Sequence, residues 1–282
     1  MKPRSAVTVC LVPEAAGGPF VFRDDLATSC AKAADLGFDA IEVFASSADE
    51  LDAHHLRNLL RTHGLTLAAL GTGAGWVKHR LSLTDPDLAV RTRARQFIAS
   101  FIDFAGAFGA PAIIGSMQGR HGGQITPAQA IAWLTEALEQ LGPRAKAAGA
   151  PLLIEPLNRY ETNLLTNVAD GIDFLGKLRT TNVQLLCDLF HMNIEESDVA
   201  KALISAGAHC GHVHLADSNR RPAGNGHTDF AAVAQALNQI GYTGYLSAEA
   251  LPYPDPSSAA QATIAAFRQF FAPKHERDCA PV

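Results

Sequence analysis

Short apolar runs and longer stretches of helical periodicity alternate along the whole chain. The strand-like runs are Ala6–Val12, Phe38–Phe44, Leu65–Leu70 and Pro111–Gly115, then Pro151–Ile154, Val183–Cys187, Gly211–Val213 and Gly244–Ala248. Helical periodicity predicts Asp24–Leu36, stopped by Gly37, and Asp49–His63, stopped by Gly64. It further predicts Pro86–Phe108, opening at Thr84-Asp85-Pro86, and Thr126–Ala148, opening on Thr126-Pro127 and closing at Gly149. Capping side chains and proline suit a helix start, and glycine suits the left-handed residue just past its end. Four more helices are predicted near Asn167–Leu178, Ser197–Ala206, Phe230–Ile240 and Ser257–Phe271. Phe97, Phe101, Phe104 and Phe108 recur at three- and four-residue spacing, which turns them toward a packed layer rather than a partner.

Eight such βα units without a break in composition predict an α/β fold with a parallel sheet and its helices outside. The length of 282 residues fits a single (β/α)8 TIM barrel, for which about 250 is typical. One domain over 1–282 is therefore expected. An open doubly wound sheet is the alternative. It is discounted because no GxGxxG follows the first strand. Gly71-Thr72-Gly73-Ala74-Gly75 lies after the third strand and leads to Trp76 rather than into a helix, so it reads as a tight loop, with a phosphate nest as the alternative.

The last four strand-like runs each end on a polar group: Glu155, Asp188, His214 and Glu249. They lie about one strand plus one returning helix apart, so in a barrel they converge at the C-terminal face, where such folds place their chemistry. Three carboxylates and one imidazole make an oxygen-rich cage for a divalent ion, Mn²⁺ foremost, with Mg²⁺ or Co²⁺ also suited. Such an ion polarises a carbonyl, and two flanking carboxylates can then exchange a proton at the neighbouring carbon. Glu155 and Glu249, on the first and last of these strands, are placed to do so. His212 is read as out of phase with His214, pointing the other way, and as packing or support behind the ligands.

Composition narrows the partners. The formal charge of −5 and the pI near 6.1 argue against a nucleic-acid phosphate track. Five cysteines, Cys10, Cys30, Cys187, Cys210 and Cys279, show no CxxC spacing and read as reduced thiols. The apolar run from Ala6 is too short to span a membrane and lacks a cleavage signal, so a cytoplasmic setting without membrane contact is expected.

Glu155-Pro156-Leu157-Asn158-Arg159-Tyr160-Glu161-Thr162 resembles the fifth-strand motif of the ketose 3-epimerases that act on D-tagatose and D-allulose (psicose). Asp188-Leu189-Phe190-His191-Met192-Asn193-Ile194-Glu195-Glu196 is similar to the next. His214-Leu215-Ala216-Asp217-Ser218-Asn219-Arg220, with Pro222, Gly224 and Gly226, looks like the seventh-strand loop. The likeness is dense from about 150 to 250. It places the chain among the xylose-isomerase-like barrels, with hydroxypyruvate isomerase, inosose isomerases and endonuclease IV.

The resemblance implies that Glu155, Asp188, His214 and Glu249 hold the metal and that the two glutamates work on carbon 3 through a metal-bound enediolate. It implies that Glu161, His191 and Arg220 orient a small sugar, in a homodimer or homotetramer. An aldose–ketose or hydroxypyruvate-type isomerase, or an enzyme of 3-oxo-sugars or inososes, would use the same site. The Asn-Arg-Tyr-Glu-Thr run favours the epimerase. Endonuclease chemistry would need more histidine ligands and a basic face. A metal-binding barrel without catalysis is disfavoured by the intact glutamate pair. Ala250-Leu251-Pro252-Tyr253 departs from the family's usual Pro-aromatic sequence after the last glutamate, and the first-half loops are unlike those of the family. There Trp76, Lys78, His79 and Arg120 are candidate contacts to the substrate's tail, where Arg120, Lys78 and His79 suit a phosphate or carboxylate, with solvated loop charge as the alternative.

Overall fold

The computed structural model describes residues 2–272, and Cys279 lies outside the described residues. Its strands are β1 (Arg4–Cys10), β2 (Ala40–Phe44), β3 (Thr66–Gly71), β4 (Ala112–Ile114), β5 (Leu152–Ile154), β6 (Val183–Asp188), β7 (Cys210–His214) and β8 (Tyr245–Ala248). They pair in parallel in chain order, and β8 returns to β1 to close the barrel. The helices are α1 (Leu26–Leu36), α2 (Ala53–His63), α3 (Ala74–Val77), α4 (Leu88–Gly106), α5 (Pro127–Ala147), α6 (Val168–Leu175), α7 (Leu189–Glu195), α8 (Val199–Ala206), α9 (Phe230–Gln239) and α10 (Pro256–Phe270).

Strand alternation divides the apolar residues between two layers. Ala69, Ile113, Leu153 and Leu186, one from each of β3 to β6, cluster together. Their neighbours Leu70, Ile114, Leu152, Ile154 and Leu185 join the large core with helix residues such as Ile98, Phe101, Leu134 and Leu138. Phe101 is fully buried, while Phe97, Phe104 and Phe108 pack against that core as half-buried side chains.

Three local features depart from the sequence pattern. The predicted helix Asp49–His63 is a short 3₁₀ turn over Ala48–Glu50 followed by α2. Leu51 is extended, and Asp52 caps α2 by accepting from the His54 and His55 amides. Two capping side chains, Ser47 and Asp52, each start their own helix, so the run divides. The glycine-rich loop does enter a helix, the single turn α3 with Trp76 in it, because Gly73 adopts right-handed helical angles. A further helix, α7, begins directly at the end of β6.

Candidate active site and metal centre

Asp188 is both the last residue of β6 and the cap of α7, and its two oxygens divide the work. Oδ1 accepts from the backbone amides of Phe190 (2.8 Å) and His191 (3.2 Å). Oδ2 faces the barrel mouth, 3.1 Å from His214 Nδ1 and 3.0 Å from Arg220 Nη1. Asp188 and His214 are register partners across β6 and β7. Burial by itself would raise the Asp188 pKa, but Arg220, His191 and His214 outweigh it and hold the carboxyl well below the usual range.

Glu155 and Glu249 complete the cluster. Glu155 Oε1 lies 3.7 Å and Glu249 Oε2 3.3 Å from His214 Nδ1. Glu249 is paired with Arg220 Nη2. Gly115 on the neighbouring strand end leaves room for Glu155, since a Cβ there would lie 2.6 Å from Oε2. Burial pushes the Glu155 pKa well up, and Glu249 and Asp188 add to the rise against His214 and Arg220.

One ligand atom from each of Glu155, Asp188, His214 and Glu249 lies within 4.8 Å of all the others. The donor set fits a hard divalent cation on two further counts. Glu155 Oε1 is buried without a hydrogen-bond partner, a costly condition that a cation would relieve. The pocket's field also favours positive charge. Burial opposes protonation of His214, yet Glu249, Glu42 and Asp188 raise its pKa well above the ordinary imidazole value.

Glu42, in the middle of β2, was not recognisable as a site residue because it is embedded in the apolar run Ala40–Phe44. It is 5% exposed, and its oxygens meet His214 Nε2 at 3.1 Å and His212 Nε2 at 2.8 Å. The predicted outward orientation of His212 is wrong. His212 and His214 stand two apart on one strand and share a face, and both reach Glu42. The register of β7 slips opposite Leu185/Leu186, so Gly211 is the extra residue just before the pair. The support role predicted for His212 agrees with its contact to Glu42.

The expected substrate-orienting groups line the same cleft. His191 projects from the first turn of α7. Its Nδ1 receives Asn158 Nδ2 at 2.7 Å and the Asn158 amide at 3.3 Å. An imidazole nitrogen that accepts leaves the other to carry the proton. That nitrogen, Nε2, lies 3.7 Å from Glu155 Oε1 and 3.3 Å from Arg220 Nη1, a donor that competes with this assignment. Burial lowers the His191 pKa, favouring the neutral ring, though Asp188 pulls the other way. Asn158 also donates to Glu161 Oε1 at 3.1 Å, so this residue, unremarked within its motif, sets two others.

Arg220 holds left-handed angles, with φ at 61°. Such a conformation is uncommon for any residue other than glycine. Its guanidinium lies 4.7 Å over the Phe190 ring between Asp188 and Glu249. The Arg220 carbonyl accepts from the Leu251 amide at 2.8 Å. The cleft measures about 840 Å³, and its lining includes Glu14, Trp76, Asp85, Arg120, Tyr160 and Glu161. Trp76 and Arg120 thus reach it. Lys78 and His79 are not among the lining residues: Lys78 pairs with Glu50 at 3.8 Å, and His79 meets the edge of Phe97.

A closed (β/α)8 barrel with a buried acid-and-histidine cluster at the C-terminal end of its strands has the layout of a barrel enzyme with a possible metal site. The profile of the family described as Xylose isomerase-like TIM barrel matches residues 30–270. An L-ribulose 3-epimerase from Mesorhizobium japonicum is 33% identical over 231 residues, covering 80% of this chain and 76% of its own. A solved L-ribulose 3-epimerase structure superposes with a TM-score of 0.79 at 27% identity, covering 98% of this chain and 96% of its own. A 3-dehydro-D-guloside 4-epimerase from Escherichia coli is 34% identical over 136 residues, 48% of this chain and 52% of its own. The chain belongs to the xylose isomerase-like TIM barrel family, and it is an isomerase-class enzyme of carbohydrates.

Proposed function

We propose that the chain is a divalent-metal-dependent ketose 3-epimerase, with Glu155, Asp188, His214 and Glu249 as the ligands. The observation that carries this reading is the meeting of two glutamates, from the ends of β5 and β8, around one imidazole and one aspartate. When bound, a divalent ion polarises the ketose carbonyl and stabilises the negative charge that grows as carbon 3 loses its proton. Mn²⁺ is the proposed ion, with Mg²⁺ or Co²⁺ as substitutes that the same donor set accepts.

Glu155 and Glu249 handle the proton. One carboxylate takes it from carbon 3, and the other, protonated, delivers one to the opposite face, so that only the configuration at that carbon changes. The burial that raises the Glu155 pKa suits a group that must hold a proton in one direction of the reaction. Arg220 and the Nε2–H of His191 donate to substrate oxygens beside the reacting carbons, and Glu161 accepts from a hydroxyl farther out. Mouth residues Trp76 and Arg120 contact the substrate's tail. The buried free thiols Cys10, Cys30, Cys187 and Cys210 suit a reducing cytoplasm. Among the described residues no helix is long and apolar enough to cross a membrane.

The test is incubation of the Mg²⁺-loaded enzyme in D₂O with free ketoses and their phosphates, followed by NMR. Deuterium at carbon 3 with appearance of the epimer is the expected result. Deuterium at carbon 1 with an aldose product would reassign the chain to aldose–ketose isomerisation. A second reading, epimerisation at carbon 4 of a 3-oxo-glycoside, is favoured by the size of the cleft, which has room for a second ring. Including a 3-oxo-glycoside in the same panel decides it, since the label would then enter at carbon 4.

A further inference from the structure

We infer that Glu42 is a positioning residue: it fixes the tautomer and orientation of His214 so that Nδ1 is presented to the ion. This inference rests on the proposed metal site. His214 has two nitrogens with opposite surroundings. Nδ1 faces Asp188, Glu249 and Glu155 at 3.1, 3.3 and 3.7 Å. Nε2 faces the Glu42 carboxylate, at 3.1 Å. A carboxylate accepts and cannot donate, so the proton of a neutral His214 belongs on Nε2 and the lone pair on Nδ1. Carboxylate partners behind ligating histidines set ring orientation and raise ligand basicity in this way.

Glu42 is itself held. Its second oxygen takes the His212 Nε2 hydrogen at 2.8 Å, and all three residues are buried. The chain Nε2–H (His212), Glu42, Nε2–H (His214) joins β7 to β2, strands that are not neighbours in the barrel. These three side chains could also be taken for a second metal site. Their contacts argue against it: each imidazole meets its own carboxylate oxygen at hydrogen-bonding distance, and His214 turns its other nitrogen to the first cluster.

Two substitutions separate positioning from general damage to the core. Glu42→Gln and His212→Asn both disrupt the bond between Glu42 and His212, but only the former alters a hydrogen-bond partner of His214; the latter removes an edge contact between the two rings, whose centroids are 5.5 Å apart. Calorimetric titration of the chelator-treated full chain with Mn²⁺ is expected to give one ion for the wild type. Affinity is expected to fall about 10- to 100-fold in Glu42→Gln and to change only a few-fold in His212→Asn. With Co²⁺, the visible d–d band is expected to shift in Glu42→Gln and to stay in place in His212→Asn. Glu42→Asp, which keeps the charge but withdraws it by one methylene, is expected to fall between wild type and Glu42→Gln, and serves if Glu42→Gln does not fold.

Unchanged Mn²⁺ affinity in Glu42→Gln, or equal losses in both variants, would overturn the inference while leaving the metal site standing. Two ions per wild-type chain, the second lost in His212→Asn, would make Glu42 a ligand and overturn it as well. A wild type that binds no ion would instead remove the metal reading on which it rests.

Discussion

Glu155 combines deep burial, an oxygen with no hydrogen-bond partner and a carboxyl pKa pushed well up, a set of properties that a structural glutamate rarely tolerates. Glu155→Gln keeps the shape and removes the ability to exchange a proton. Turnover is expected to fall by about 10²- to 10⁴-fold from the lost acid–base role, measured as carbon-3 label exchange. Glu249→Gln should behave alike. Arg220→Lys would keep a positive charge but lose the planar fork that meets Asp188 and Glu249 together. Its KM for the ketose is expected to rise and its kcat to fall, read from initial rates. At this scale the sequence revealed the residues that end strands, because an acid closing an apolar run stands out. Glu42 stayed hidden because its reason for being charged, His212, lies 170 positions away. Asn158 stayed hidden because an asparagine in a loop has many ordinary uses.

Element boundaries were legible where a capping residue or a glycine stood alone and blurred where two competed, as Ser47 and Asp52 do before α2. Helix α7 escaped because its cap, Asp188, already read as a strand end. The loop after β7 shows how much one side chain can organise. Asp217 Oδ1 accepts the Ser218 and Thr228 amides, and Oδ2 accepts those of Gly224 and Gly226. Burial opposes this, but the amides win and hold the carboxyl below its usual pKa. Asp217→Asn turns one acceptor into a donor facing N–H groups and is expected to cost about 1–3 kcal/mol of stability. A lowered folded-state pKa means that the carboxylate's contribution is complete above the unfolded value, about 3.9, and is lost as pH falls through the folded value. The gap between wild type and variant in urea melts should therefore be full at neutral pH and shrink below about pH 4.

For the whole molecule, the barrel was legible because eight repeats of one pattern reinforce each other, whereas the cleft's mouth was not, since it is assembled from loops distant in sequence. Chelation is expected to abolish turnover and lower the melting temperature. Restoring Mn²⁺ to about a hundred times its Kd should return about 2.7 kcal/mol of stability, read by thermal melts at fixed protein concentration. The cleft's lining adds Glu14, Asp85 and Glu161 to the acids of the cluster, against Arg120 and Arg220, with Arg80 over the Trp76 ring. Uncharged ketoses are therefore expected to exceed their phosphate esters in kcat/KM by about tenfold or more, on the order of one close like-charge contact. The bond from the Leu251 amide to the Arg220 carbonyl has a different kind of consequence. It stitches the loop after β8, which lines the cleft, to the backbone of the residue that clamps two of the acids. A specificity loop grafted from a relative after Ala250 keeps this anchor only if residue 251 is not proline and its N–H still meets the Arg220 carbonyl; otherwise it loosens that clamp from a distance, so new substrate ranges should be sought by exchanging the two loops together.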